Sequence, residues 1–337
     1  MNDTVTNDES AFAKAKKSPP QHKACVAFYN LENLFDTHDD PEKLDEDFTP
    51  RGEYNWTDKR LKNKLRKLST VISKIGATET GEAPSLLGVA EVETTEVLEQ
   101  LVATKTLQEY NYGVVHYESP DERGIDVGLL YRKAHFEVLE SEAINVYVET
   151  EPGVQDYTRD ILHVHGKLLG MPVHVLVNHW PSRRQGAEET AHKRIAVAQR
   201  CREIIAQIKD KNPDARIIIM GDFNDDPHSE AVKNHLVQSD FYNPMVFLLT
   251  RYEGSLNHRF EWYLFDQLIL STNFMQLHHN PFRYDASKIY NDVSLTEFKG
   301  KFKGNPFRTY AGKRYLGGYS DHFPVYTIFD INPMKTN

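Results

Sequence analysis

The chain has 337 residues, 39% hydrophobic and 26% charged, with a formal net charge of -9. No run approaches the roughly 18 consecutive apolar residues that a membrane helix needs, so no membrane span is expected. The acidic balance argues against a protein that coats polyanions through its overall field, although KRLKNKLRK (59–67) and 299–314 are locally basic.

In chain order, residues 1–23 are polar, include Pro19-Pro20, and read as a disordered tail without the apolar core of a signal peptide. A cytoplasmic location is expected, and a monomer. Cys25 to Tyr29 reads as a strand. Residues 58–75 place Leu61, Leu65, Leu68, Ile72 and Ile75 at helical spacing, with the basic residues between them read as a solvated face. Ser85 to Ala90 is a short strand, and Thr94 to Ala103 a helix. Val114 to His116, Val127 to Arg132 and Phe136 to Leu139 read as strands. Leu162 to Leu169 and Val173 to Val177 form a hairpin about Gly170. Glu188 to Lys209 is a long helix. A strand over 217–220, a helix near 229–238, and strands over 265–270 and 323–329 complete the pattern. No repeat or linker divides residues 24–332, which read as one α/β domain. Cys25 and Cys201 fall in a strand and a helix, and read as buried thiols rather than a bridge.

The apolar strands share a feature. VAFYN ends at Asn30, LLGVAE at Glu91, VLVNH at Asn178 and His179, and IIIMGDFN at Asp222 and Asn224. FDQLIL begins after Asp266, and the last strand follows Asp321 and His322. Asp, Asn and Pro are common turn formers. Six such ends fit one ligand site at an edge of the β core better than six unrelated turns. Glu91 and Asp321, with Asn30, offer hard oxygen donors suited to Mg²⁺ or Mn²⁺. His179 and His322 can exchange protons near neutral pH. No cysteine or His-Glu-x-x-His pattern offers a zinc alternative.

Together FYNLENLFDT, GVAEVE, RGIDVGLLYR, VNHWPSR, GDFNDDP, DQLILS and YSDHFPV resemble the endonuclease/exonuclease/phosphatase superfamily, in its bacterial nuclease-like branch. The resemblance runs from Val26 to Val325. It implies a four-layer α/β/β/α sandwich: two mixed β-sheets packed face to face, with helices outside. It implies Glu91 as principal metal ligand, supported by Asn30 and Asp321. Asp222 would orient or deprotonate the attacking water, and Asn224 would hold the phosphate or that water. His322 would contact the phosphoryl oxygen or share the proton. His179, as an imidazolium, would protonate the leaving oxygen or stabilise the charged transition state, with Asp266 fixing its tautomer. Thr94 stands where the branch more often has Asn, and Glu93 either supports Glu91 or starts the next helix. Arg123, Asp126, Asn178 and Arg183 are candidate substrate contacts. Arg159 and Arg184 are candidate phosphate ligands, and Trp180, Trp262 and Tyr319 candidate partners for bases. The expected activity is divalent-metal-dependent hydrolysis of a phosphodiester in DNA or RNA. A smaller substrate, such as a phospholipid headgroup or sugar phosphate, is the alternative.

Overall fold

The computed structural model describes residues 22–276 and 280–332. Residues 1–21 of the expected tail lie outside the described residues, and the first strand already includes Lys23. The strands are β1 (His22–Leu34), β2 (Leu86–Val92), β3 (Tyr112–His116), β4 (Asp126–Arg132), β5 (Phe136–Ile144), β6 (Val148–Glu151), β7 (Val154–Asp156), β8 (Ile161–Leu168) and β9 (Met171–His179). After these come β10 (Ile217–Asp222), β11 (Phe241–Tyr242), β12 (Leu256–His258), β13 (Glu261–Tyr263), β14 (Asp266–Ser271), β15 (Phe282–Ile289), β16 (Tyr310–Ala311), β17 (Arg314–Tyr315) and β18 (Val325–Ile331). The helices are α1 (Asp58–Ile72), α2 (Ala77–Thr80), α3 (Thr95–Val102) and α4 (Ala191–Lys211). Near 229–238 the chain makes one wide π-type turn, Ala231–Leu236, instead of a regular helix.

Two six-stranded mixed sheets carry the fold, ordered β15-β18-β1-β2-β4-β3 and β11-β14-β10-β9-β8-β5. Their inner faces meet through Val26, Phe28, Leu86, Val175, Ile218, Met220 and Leu268. Alternate residues of the same strands point outward. Ala27, Tyr29, Leu87 and Val89 pack under Leu65 and Leu68 of α1 and Leu98 of α3. Leu176, Ile217 and Ile219 pack under Cys201 and Ile205 of α4. Strands covered on both faces are apolar at successive positions, which is why IIIM and LLGVA read as continuous runs. The result is the four-layer sandwich. Gly88 lets the sheets approach, because a Cβ there would run into Met220 of the facing strand.

This topology explains why six strand ends meet. β9 and β10 run parallel, pairing His179 with Asp222. β14 runs antiparallel to β10, so its first residue, Asp266, pairs with the last, Asp222. β1 and β2 run parallel, with Asn30 beside Ala90. β18 runs antiparallel to β1 and starts where β1 reaches Phe28. All six ends therefore lie on one edge of the sandwich.

Candidate active site

Irregular backbone at this edge aims the side chains. The β2 ladder slips between Ala90 and Val92 on both flanks, and Glu91 at the bulge has φ 60°. β1 slips beyond Asn30, where Glu32 and Asn33 also have positive φ. Asn224 follows β10 at φ 47°, and its N–H donates to Asp222 Oδ1 at 2.9 Å. Bulges re-aim side chains, and such strained positions persist where the surroundings over-determine them.

Glu91, His179, Asp222, Asn224 and His322 line one cleft of about 420 Å³, with Arg123, Arg183 and Arg184 on its wall. Asn30 Nδ2 donates to Asp222 Oδ2 at 3.0 Å and to Glu91 Oε1 at 3.3 Å. Glu91 Oε2 also accepts the Asn33 N–H at 2.8 Å. The amide oxygen of Asn30 accepts from Glu32 N–H at 2.9 Å. In this arrangement Asn30 bridges two carboxylates as a donor, and its oxygen is not turned toward them as a ligand would be.

The expected pairing of Asp266 with His179 is wrong. Asp266 Oδ2 lies 2.7 Å from His322 Nδ1. Burial opposes a charged His322, but Asp266, Asp222 and Asp321 outweigh it and hold its pKa well above the ordinary histidine value. His322 Nε2 then stands 3.9 Å from Asp222 Oδ2. His179 experiences the opposite field. Burial, then Arg159 and Arg123, push its pKa well below the ordinary value, a direction that favours the neutral imidazole over the expected imidazolium. Its Nε2 lies 4.0 Å from Glu91 and 3.8 Å from Asp222, and Nδ1 is buried without a hydrogen-bond partner. Asp222 is raised above the usual carboxylate range by burial; His322 offsets this and Asp266 adds to it.

Asp321 sits on the other side of His322, 4.0 Å from Nε2, with Arg308 Nη2 at 2.8 Å. Burial raises its pKa, but Arg308, His322 and Lys64 bring it below the carboxylate range. Behind it lies a network that the sequence reading missed. Glu32 accepts from Thr309 N–H at 2.6 Å and faces Arg308 Nε at 3.3 Å. Lys64 donates to Tyr319 O at 2.6 Å and lies 3.8 Å from Glu32. Lys64 is thus buried, not on a solvated face. The signal was present: Lys64 is three residues after Leu61 and four before Leu68, on the apolar stripe.

Several other expectations need correction. Asn178 is not a substrate contact. Its amide donates to Leu176 O at 3.2 Å and its oxygen accepts from Trp180 Nε1 at 3.2 Å, so it serves the core under α4. Asp126 lies outside the cleft, in a separate recess with Asp36, Lys43 and Glu93, where its Oδ1 accepts Ser119 N–H at 3.1 Å. Glu93 therefore faces away from Glu91's cleft. Trp180 is wholly buried against Phe223, and Trp262 stacks on Phe323. Tyr319 lies under Lys67 Nζ. Arg183 lines the cleft and also holds the turn, donating to Asn224 O at 2.7 Å and pairing with Asp225. Asp225 pairs with Arg194 as well, at 2.8 Å, and Asp226 accepts Leu264 N–H at 2.8 Å, so both are turn residues. Thr94 caps α3, accepting Val97 N–H at 3.2 Å, a task Asn performs equally well.

The fold has relatives among known proteins. The model of the Endonuclease/Exonuclease/phosphatase family matches residues 25–330. No curated protein matches the chain. Among solved structures, an endonuclease/exonuclease/phosphatase family protein from Bacteroides thetaiotaomicron has TM-score 0.57 at 15% identity, covering 93% of this chain and 99% of that one. D. rerio TDP2 complexed with a single-strand DNA product has TM-score 0.54 at 18% identity, covering 91% and 98%. A mannosyl-6-phosphatase from Bacteroides thetaiotaomicron has TM-score 0.55 at 15% identity, covering 91% and 99%. Among the described residues no helix is long and apolar enough to cross a membrane. With a family match across nearly all of the described domain, the chain belongs to the endonuclease/exonuclease/phosphatase family and is a phosphoric ester hydrolase.

Proposed function

We propose that the chain hydrolyses phosphodiesters of DNA or RNA by in-line attack of water, with Mg²⁺ or Mn²⁺ as cofactor. The observation that carries this reading is the arrangement across one cleft: a hydrogen-bonded His322–Asp266 pair on one side, Glu91 and Asp222 facing it, and arginines on the wall. The donor set suits a hard divalent cation in its chemistry, because Glu91, Asp321 and the Asn30 amide all offer oxygen atoms and Glu91 and Asn30 already lie within hydrogen-bond distance. Glu91 would hold the ion, with Asp321 and a turned Asn30 amide completing its surroundings. When bound, the cation supplies charge neutralisation for the phosphoryl oxygens.

The chain's own residues do the rest. Asp222 is fixed by Asn30 and Asn224 N–H, and orients the attacking water. His322 presents an N–H and a positive charge to the phosphoryl group, and its proton is available to the leaving oxygen. His179, kept neutral, contributes a hydrogen bond without a charge. Arg123, on the cleft wall, would take the remaining phosphate oxygens. A strand solved as product on D. rerio TDP2 is consistent with a nucleic acid here.

A second reading, a smaller phosphorylated substrate, is favoured by the net charge of -9 and by a cleft within the usual volume range of small-ligand pockets. Incubation with plasmid, single-stranded DNA, RNA and bis(p-nitrophenyl) phosphate separates the two. The nuclease reading expects cleavage of a nucleic acid, falling steeply as salt rises. His322→Ala and Asp222→Ala should each lower turnover by about 10²-fold or more. Mn²⁺ should raise the Tm of the wild type and not of Glu91→Gln. Full activity in excess chelator, with no bound metal, rejects the cofactor.

A further inference from the structure

Beside the catalytic cleft lies a second recess of about 240 Å³. The two share Arg123, Ser182 and Arg184 in their walls, so they are immediate neighbours. The second recess is also lined by Thr158 and Arg159, which are 4% and 8% exposed. Among the described residues, Thr158 Oγ1 and Arg159 Nε are both buried without a hydrogen-bond partner. A buried polar group left unpaired is costly, because it has given up water and gained no partner. Two of them in the wall of one recess indicate a site that a ligand completes.

The guanidinium of Arg159 is held in place from its far side. Nη1 donates to Asp121 at 2.9 Å and Nη2 to Trp180 O at 3.1 Å. Lys193 is matched to Asp156 at 2.7 Å. Arg184, on the rim, is exposed and has no hydrogen bond or ion pair among the described residues. Of the three carboxylates in its lining, Asp121 is matched to Arg159 and Asp156 to Lys193, and Glu122 is exposed. What the recess leaves unmatched is the Arg159 Nε–H, the Arg184 guanidinium and the Thr158 hydroxyl, and these suit a tetrahedral oxyanion.

We propose that this recess is a second phosphate subsite. It takes the phosphate next to the scissile one along a nucleic-acid strand, with Thr158, Arg159 and Arg184 as its ligands. The inference rests on the nuclease reading and extends it: a substrate with a single phosphate leaves this recess unfilled.

The test compares three probes: bis(p-nitrophenyl) phosphate, a dinucleoside monophosphate, and the same dinucleotide phosphorylated at its 5′ or 3′ end. For one of the phosphorylated forms, wild-type kcat/KM should exceed that of the unphosphorylated dinucleotide by about tenfold or more. Thr158→Val should bring the ratio toward one and leave hydrolysis of bis(p-nitrophenyl) phosphate unchanged, whereas Thr158→Ser should preserve it. Arg184→Gln, at an exposed position without structural partners, should lower the same ratio. A wild-type ratio of one, or a ratio that survives both Thr158→Val and Arg184→Gln, overturns the subsite. If no probe is hydrolysed, the nuclease reading fails by itself. Calorimetric titration with the same dinucleotides then decides the subsite through the loss of affinity in Thr158→Val.

Discussion

His322 and His179 reach the same cleft from different sheets, and their neighbours drive them to opposite protonation states. Asp266, Asp222 and Asp321 surround His322, whereas His179 is buried with Arg159 and Arg123 nearby. Asp266→Asn removes the anion that opposes desolvation, so the His322 pKa should fall. The alkaline limb of the kcat profile should then move to lower pH, with a loss of about 10²-fold at pH 8 and less at pH 6. A pH–rate profile that keeps its wild-type limb would show that His322 does not act as the charged partner. A second titrating residue bears on stability. Burial raises Asp126 to about 7, and its Oδ2 has no partner. Its folded pKa lies above the unfolded carboxylate value, so the folded state holds an extra proton between about pH 4 and 7. Stability should fall as pH rises through that window, by up to about 1.4 kcal/mol per pH unit from this group. In Asp126→Asn that component of the slope should vanish, as read by urea unfolding at several pH values. The sequence revealed which residue types gather at the site, because Asp222, His322 and Glu91 each follow or precede an apolar run. It did not reveal which acid holds which imidazole, since Asp266 is distant in sequence from both histidines.

At the level of elements, strand direction is what assembles the site. Two parallel pairs, β1 with β2 and β9 with β10, end together, and two antiparallel strands begin beside them. The doubly covered strands were legible because burial on both faces demands unbroken apolar runs. β15 was not: FRYDASKI is an edge strand with a bulge near Asp285, and its polar residues hide the alternation. The small hairpin of β12 and β13 escaped for the same reason, yet Leu256 bridges the backbone of His322. The bulges at Glu91 and beyond Asn30 leave no pattern that periodicity detects. Between the sheets, spacing depends on Gly88. Gly88→Val would press Met220 and Phe28 apart and should cost about 1–3 kcal/mol, measured as a lower urea midpoint. An unchanged midpoint would mean that the two faces are more loosely fitted than the contacts indicate.

For the whole molecule, the layers were expected from the resemblance and the interleaved helices and strands, and the structure shows them with the site on one edge. What one-dimensional reading could not supply was the division of buried apolar residues into three separate bodies, two outside the sheets and one between them. That division has a practical consequence. The chain has two cysteines, both free and buried. Cys25 lies on the first sheet beneath its helices, and Cys201 lies on the inward face of α4 against the second. Burial raises both thiols, Cys201 to about 12, so neither forms a reactive thiolate while covered. An alkylating reagent can reach each sulfur only when its own flank lifts. Cys25→Ser and Cys201→Ser therefore leave one gauge apiece on opposite sides of the protein. Equal modification rates would mean that the two flanks detach as a single event, and unequal rates would reveal which side opens first.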